Sequence, residues 1–159
     1  MQQMNQTPEN KSVETIYRTS AIIWFALLFS QLMLLVVLFF AKPEIFKFDF
    51  SKSLSGDNVL VIALAVLGVS TFLLSLVLRS KLVQQAVAKQ QVALVSTAMI
   101  VGCALCEATA LFGLVLAFAA NYQYFFLWFA LGILGTILHF PRRDNLIAAS
   151  YQKIDSCWK

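Results

Sequence analysis

VALVSTAMIVGCALCEATALFGLVLAFA, residues Val92–Ala119, contains no Lys, Arg or Asp, and its single acidic side chain is Glu107. An α-helix rises about 1.5 Å per residue, so about 20 residues cross the roughly 30 Å hydrocarbon core of a bilayer. This stretch is long enough to span, with length left to tilt or protrude. Residues 21–41, 59–78 and 124–140 form three further apolar runs without Asp, Glu, Lys or Arg. The first two match a span and the last is barely sufficient. The expected fold is therefore all-α, a four-helix transmembrane bundle over residues 21–140. A polar lead, residues 1–20, precedes it, and a tail, residues 141–159, follows.

Composition agrees. Of 159 residues, 60% are hydrophobic and 13% charged, with a mean hydropathy of +0.77, whereas soluble domains carry about 25% charged residues. Too little polar chain remains outside the four runs for a separate soluble domain. The net charge of +4 is explained by placement. Lys11 and Arg18 precede the first run, and Arg79, Lys81 and Lys89 lie between the second and third. Arg142, Arg143, Lys153 and Lys159 follow the fourth. The segment between the first and second runs holds Lys42, Lys47 and Lys52, balanced by Glu44, Asp49 and Asp57. The positive-inside rule then puts both termini in the cytoplasm, and the expected location is a bacterial inner membrane. A nucleic-acid partner is not expected, because no aromatic residues interleave with the basic ones. Phe39-Phe40-Ala41 before Lys42 is a poor cleavage site, so the first run reads as a retained signal anchor. Cys103 and Cys106 inside the third helix, and Cys157 near the cytoplasmic end, do not suggest a structural disulfide.

The connections carry their own signals. Residues 1–12 are rich in Gln, Asn, Pro and Glu and read as disordered. Val13, Ile16, Tyr17, Ser20 and Trp24 then share a helical face, with Trp24 expected near the headgroups. Pro43 ends the first helix. Phe46, Phe48 and Phe50 alternate with Lys47 and Asp49, suggesting a locally extended loop, and residues 55–58 read as a cap of the second helix. The connector 79–91 has neither Gly nor Pro, so helical extensions with a turn between them are expected. Asn121 and Tyr122 turn the chain back, and Pro141 closes the fourth helix. Ile147, Tyr151, Ile154 and Trp158 fall on one stripe, so the tail is either a surface-lying amphipathic helix or solvated.

Gly102, Cys106, Thr109, Gly113 and Ala117 form one ridge of small residues at spacings of three and four. Such ridges let helix backbones approach closely in a membrane, within this chain or against a partner. Glu107 adjoins the ridge. An ionised carboxylate at mid-membrane costs about 2.5–3.5 kcal/mol on insertion scales, so an acid there points to function. In apolar surroundings the neutral form is favoured over the anion. A neutral acid that ionises on meeting a polar pathway is a proton carrier. The alternative is structural, a hydrogen bond from Glu107 to Gln31, Ser70, Thr71 or Thr136 on a neighbouring helix.

Residues 102–118 also resemble a known family. Gly102, Ala104, Glu107 and Ala108, followed by Leu111, Phe112, Gly113, Leu114, Val115, Ala117 and Phe118, look like the carboxylate-bearing helix of the ATP synthase c subunit. That helix reads Gly-x-Ala-x-x-Glu-Ala and then Leu-Tyr-Gly-Leu-Val-x-Ala-Phe. The resemblance implies that Glu107 binds a proton or sodium ion, within a divergent c-subunit-like membrane protein. The c subunit is a two-helix hairpin with a glycine repeat in its first helix and Arg-Gln-Pro in its connector. Here there are four runs, the second offers only Gly68, and the connector reads KLVQQAVAK.

Cys103 and Cys106, with Glu107 beside them, raise a soft-metal or redox reading, but two thiolates need further ligands. His139 is the only histidine, and an antiparallel return about Asn121 places it opposite residue 103. A position at headgroup level beside Arg142 is the stronger expectation for it. Haem between helices usually takes two histidines. No hydrolase triad and no phosphate-cradling loop is present. The expectation is no enzymatic activity, no cofactor and no metal. Two function classes lead, an ion-handling membrane subunit with a proton-binding Glu107 and a structural or assembly protein whose small-residue ridge docks partner helices; a thiol-based redox or metal-binding protein is a third, weaker class. Either way the partners are the lipid bilayer and copies of itself or other membrane subunits.

Overall fold

A computed structural model describes residues 8–47 and 59–150. It holds five α-helices among the described residues and no strand: α1 Pro8–Ala41, α2 Val59–Lys89, α3 Val92–Ala119, α4 Phe126–Leu138 and α5 Arg143–Ser150. Short 3-10 turns at Pro43–Phe46 and Gln123–Phe125 follow α1 and precede α4. Three helices are long and apolar enough to cross a membrane, and a fourth crossing exists if α4 and α5 count as one broken span bent by 45°. The chain is a membrane protein on this ground. The expected loop after Phe46, the cap at 55–58, and the outer part of the tail stripe (Tyr151, Ile154 and Trp158) lie outside the described residues.

The centre of the bundle is α3. Its most apolar window is 44% buried, against 11% in α1 and 17% in α2. Small side chains explain this, since Ala98, Gly102, Cys103, Cys106, Ala110, Gly113 and Ala117 are all buried and admit close neighbours. Ile, Val and Phe on α1 and α2 face outward instead, as at Ile22, Phe40, Val59 and Val66. In a membrane protein those exposed side chains meet lipid.

Both tight turns use a non-glycine residue in the left-handed region, Gln90 at φ 52 and Asn121 at φ 47. The turn at Gln90 lets the Gln91 N–H reach Ala86 O at 3.0 Å, and the turn at Asn121 lets the Tyr122 N–H reach Leu116 O at 3.1 Å. Carbonyls at the ends of α2 and α3 are satisfied in this way. The α2–α3 connector is thus a two-residue turn between long helices.

One sequence expectation needs correction. The chain is helical from Pro8, so the start of α1 lies inside the segment read as disordered; proline is well suited to a first helical turn. On the tail, α5 turns Leu146 and Ala149 into a core shared with Val13, Ala86 and Val95. Ile147, the one member of the expected stripe among the described residues, packs against this core, and α5 docks on the bundle. His139, at the end of α4, is wholly buried (0% exposed).

Candidate functional site

The small-residue ridge of α3 is occupied by the chain's own helices. The ring of His139 lies where a Cβ on Gly102 would be. A Cβ on Gly113 would come within 2.8 Å of Trp128 Cβ and 2.9 Å of Phe125 O. From α4, a Cβ on Gly132 would sit 2.7 Å from Cys106 O, and one on Gly135 would sit 2.5 Å from Cys106 Sγ. Two ridge residues face elsewhere. Thr109 Oγ1 lies 3.2 Å from Thr71 Oγ1 on α2, and Ala117 packs in the core with Leu38 and Phe129.

A polar chain runs behind that seam. Gln31 Nε2 donates to Thr136 Oγ1 at 2.8 Å, Thr136 donates to Gly132 O at 3.0 Å, and Trp24 Nε1 donates to Thr136 O at 2.7 Å. Trp24 is thus tied to α4 and stacks edge-on with Phe140. His139 has Nδ1 at 2.6 Å from Gly135 O and Nε2 at 3.3 Å from Ser75 O. Cys106 Sγ lies 3.5 Å from Ser75 Oγ and 3.9 Å from His139 Nδ1. Cys103 and Cys106 are free thiols, both buried. No group of three His, Cys, Asp or Glu side chains is placed to hold a metal among the described residues.

Glu107 stands on another face of α3. Ile100, Ala104, Leu111, Val115 and Phe118 are exposed along one stripe, and the half-buried Glu107 falls in it between Ala104 and Leu111. None of the four expected partners reaches it. Gln31 and Thr136 bond each other. Thr71 bonds Thr109 and the carbonyls of Leu67 and Gly68, and Ser70 is exposed. The partner is Ser30 of α1, whose Oγ lies 2.6 Å from Glu107 Oε1 and 2.8 Å from Leu27 O. No cationic side chain pairs with Glu107 among the described residues.

Ser30 meets Glu107 because α1 and α3 run parallel in a fixed register. Ser20 Oγ lies 2.9 Å from Ser96 Oγ at one end. At the other, Lys42 Nζ donates to Phe118 O at 3.2 Å and to Asn121 Oδ1 at 2.7 Å, closing the C-terminus of α3. The Ser30–Glu107 contact falls between these two ties. A hydroxyl at matching depth on α1 was the available sequence signal, but only with α1 and α3 known to be adjacent.

The site is thus one carboxyl in a two-helix seam, half open to the surroundings of the bundle, with a single hydroxyl as its protein partner. Such a group can hold or release a proton, and it offers too few ligands for a resident metal. Compared with known protein families, curated proteins and solved structures, this chain finds no match, so the reading of the site rests on its own residues.

Proposed function

We infer that this chain is a multi-pass, four-span protein of a bacterial inner membrane, with both termini in the cytoplasm, and that Glu107 is its proton-binding group. The carrying observation is the position of Ser30 Oγ between two oxygens, Leu27 O and Glu107 Oε1. A serine hydroxyl has one proton to donate and two lone pairs. A carbonyl accepts only, and so does an ionised carboxylate. With Glu107 ionised, Ser30 can satisfy one of the two and leaves the other as an unrelieved contact between oxygens. With Glu107 protonated, its O–H donates to Ser30 Oγ, and Ser30 donates on to Leu27 O. Both short contacts then become hydrogen bonds.

Two further features support the reading. The cost of an anion at this depth favours a neutral acid, and no cation stands by to hold the charged form. The likeness of residues 102–118 to the c-subunit carboxylate helix points to the same role, in a divergent ion-handling membrane subunit. Copies of this chain, or another membrane subunit, would cover the open side of Glu107. The alternative, an assembly protein that docks partners on the small-residue ridge, has less support, because the ridge is already buried against α2 and α4.

Carbodiimide labelling tests the reading, since a protonated and reachable membrane carboxyl is the reactive form. Glu107 should label at neutral pH, with labelling fading as pH rises and vanishing in Glu107→Gln. A wild-type protein that stays unlabelled across the pH range, with Glu107→Gln equally abundant, would leave a structural hydrogen bond as the only role.

A further inference from the structure

At the basic end of the bundle, away from the Glu107 seam, a surface groove of about 270 Å³ opens between the end of α2 and the first turn of α5. Arg79, Ser80, Val83, Gln84, Arg142 and Asn145 line it. A narrower recess, reaching inward to Ser20 and Ser96, shares Arg79, Val83, Arg142 and Asn145 with it.

Two guanidinium groups converge here from different elements. Arg79 is held in place, with Nη1 donating to Leu138 O at 2.6 Å and Nη2 donating to Phe140 O at 3.1 Å. These are carbonyls left open where α4 breaks before Pro141. A guanidinium has five N–H groups, so Arg79 keeps donors for a second partner. Arg142 is exposed and makes no hydrogen bond or ion pair with a described residue. No carboxylate among the described residues answers the pair. Glu14 is engaged by Arg18 and Arg143, Glu107 is bonded to Ser30, Glu44 lines a different pocket with Lys42 and Asn121, and Asp144 does not line the groove.

We propose that this groove is a binding site for the phosphate of an anionic glycerophospholipid. Two arginines, two amides and a hydroxyl match the acceptor oxygens of a phosphate, which guanidinium groups bind by paired, charge-assisted hydrogen bonds. Basic pockets between membrane helices at headgroup level suit this chemistry. The apolar continuation of the groove favours a lipid over a free anion. Leu76 is part of its wall, and one and two turns further along α2 the exposed side chains Leu73 (55%) and Val69 (43%) give an acyl chain a surface to follow. The bound phosphate neutralises Arg142 and joins the ends of α2, α4 and α5.

Native mass spectrometry of the full chain in detergent, titrated with phosphatidylglycerol, phosphatidylcholine or inorganic phosphate, reads this directly. Phosphatidylglycerol should be retained in preference to phosphatidylcholine. Arg142→Gln should weaken that retention about five- to tenfold. Lys81→Gln removes an exposed charge at the same end and should leave it unchanged. Equal losses in the two variants mean diffuse attraction rather than a site, and equal retention of the two lipids also overturns the proposal. Displacement of the lipid by inorganic phosphate at the same concentration assigns the groove to a free anion instead.

Discussion

Ser30 ties α1 to the one carboxyl inside the apolar length of α3. It lies within hydrogen-bonding distance of its own helix at Leu27 O and of Glu107 Oε1. By sequence it looks self-satisfied, a serine bonding back into an apolar helix, whereas the adjacent Gln31 looks like the group in need of a partner. The helix places these neighbours about 100° apart, and Gln31 turns to Thr136 on α4 while Ser30 turns to α3. Glu107 was legible as the one carboxyl in an apolar run, but its partner was not. If Glu107 donates to Ser30, infrared spectra at neutral pH should contain the carbonyl-stretch band of a protonated carboxyl, absent in Glu107→Gln. In Ser30→Ala that band should persist but move, because the acid O–H loses its acceptor. Loss of this bond should cost about 0.6–1.5 kcal/mol of stability, a modest amount for a hydrogen bond inside a membrane protein. A spectrum with no such band in the wild type contradicts the proton-bearing state.

At the level of elements, α3 and α4 pack by setting large side chains of one helix against glycines of the other, with His139 over Gly102 and Trp128 and Phe129 against Gly113. The ridge from Gly102 to Ala117 was visible as spacing, and so was the antiparallel return that brings His139 near residue 103. What the spacing could not show is that the His139 ring would be the group filling the space over Gly102. That follows from α4 breaking at His139–Phe140, where Arg79 takes up the Leu138 and Phe140 carbonyls and leaves the ring directed inward toward Ser75 O. The glycines should therefore differ sharply in tolerance. Gly102→Ala puts a methyl into the His139 ring and should destabilise by about 1–3 kcal/mol, the usual cost of overpacking. Gly68→Ala meets nothing nearer than 3.7 Å and should be neutral or stabilising by up to about 1 kcal/mol, since alanine favours the helix. Thermal unfolding in detergent separates the two. Combining Gly102→Ala with His139→Ala should recover part of the loss, because the two side chains compete for one space. Equal midpoints for Gly102→Ala and Gly68→Ala would mean that the close α3–α4 seam does not form.

At the scale of the molecule, the three long apolar helices were legible in the chain, because length and hydropathy are read directly from it. The docking of α5 was harder to read. An eight-residue helix with Leu146 and Ala149 inward has too few positions to declare its face, and the core it completes draws on Val13, Ala86 and Val95 from three other helices. The same core ties the orientation of the ends together. It gathers the start of α1, the end of α2, the start of α3 and α5 into one cluster at one end of the bundle. Pro43–Phe46 and the turn at Asn121 gather at the other end, joined by Lys42 bonding Phe118 O and Asn121 Oδ1. The layout with both termini inside then makes a paired prediction for a cysteine-free background carrying one introduced cysteine. A thiol at Gln90 should react with a membrane-impermeant maleimide only after cells are opened, and a thiol at Lys47 should react in intact cells. Both sites are exposed. Reaction of both from the same side is incompatible with α2 crossing the membrane. Reversed accessibility keeps the bundle but inverts it, and would place the Arg79–Arg142 groove outside.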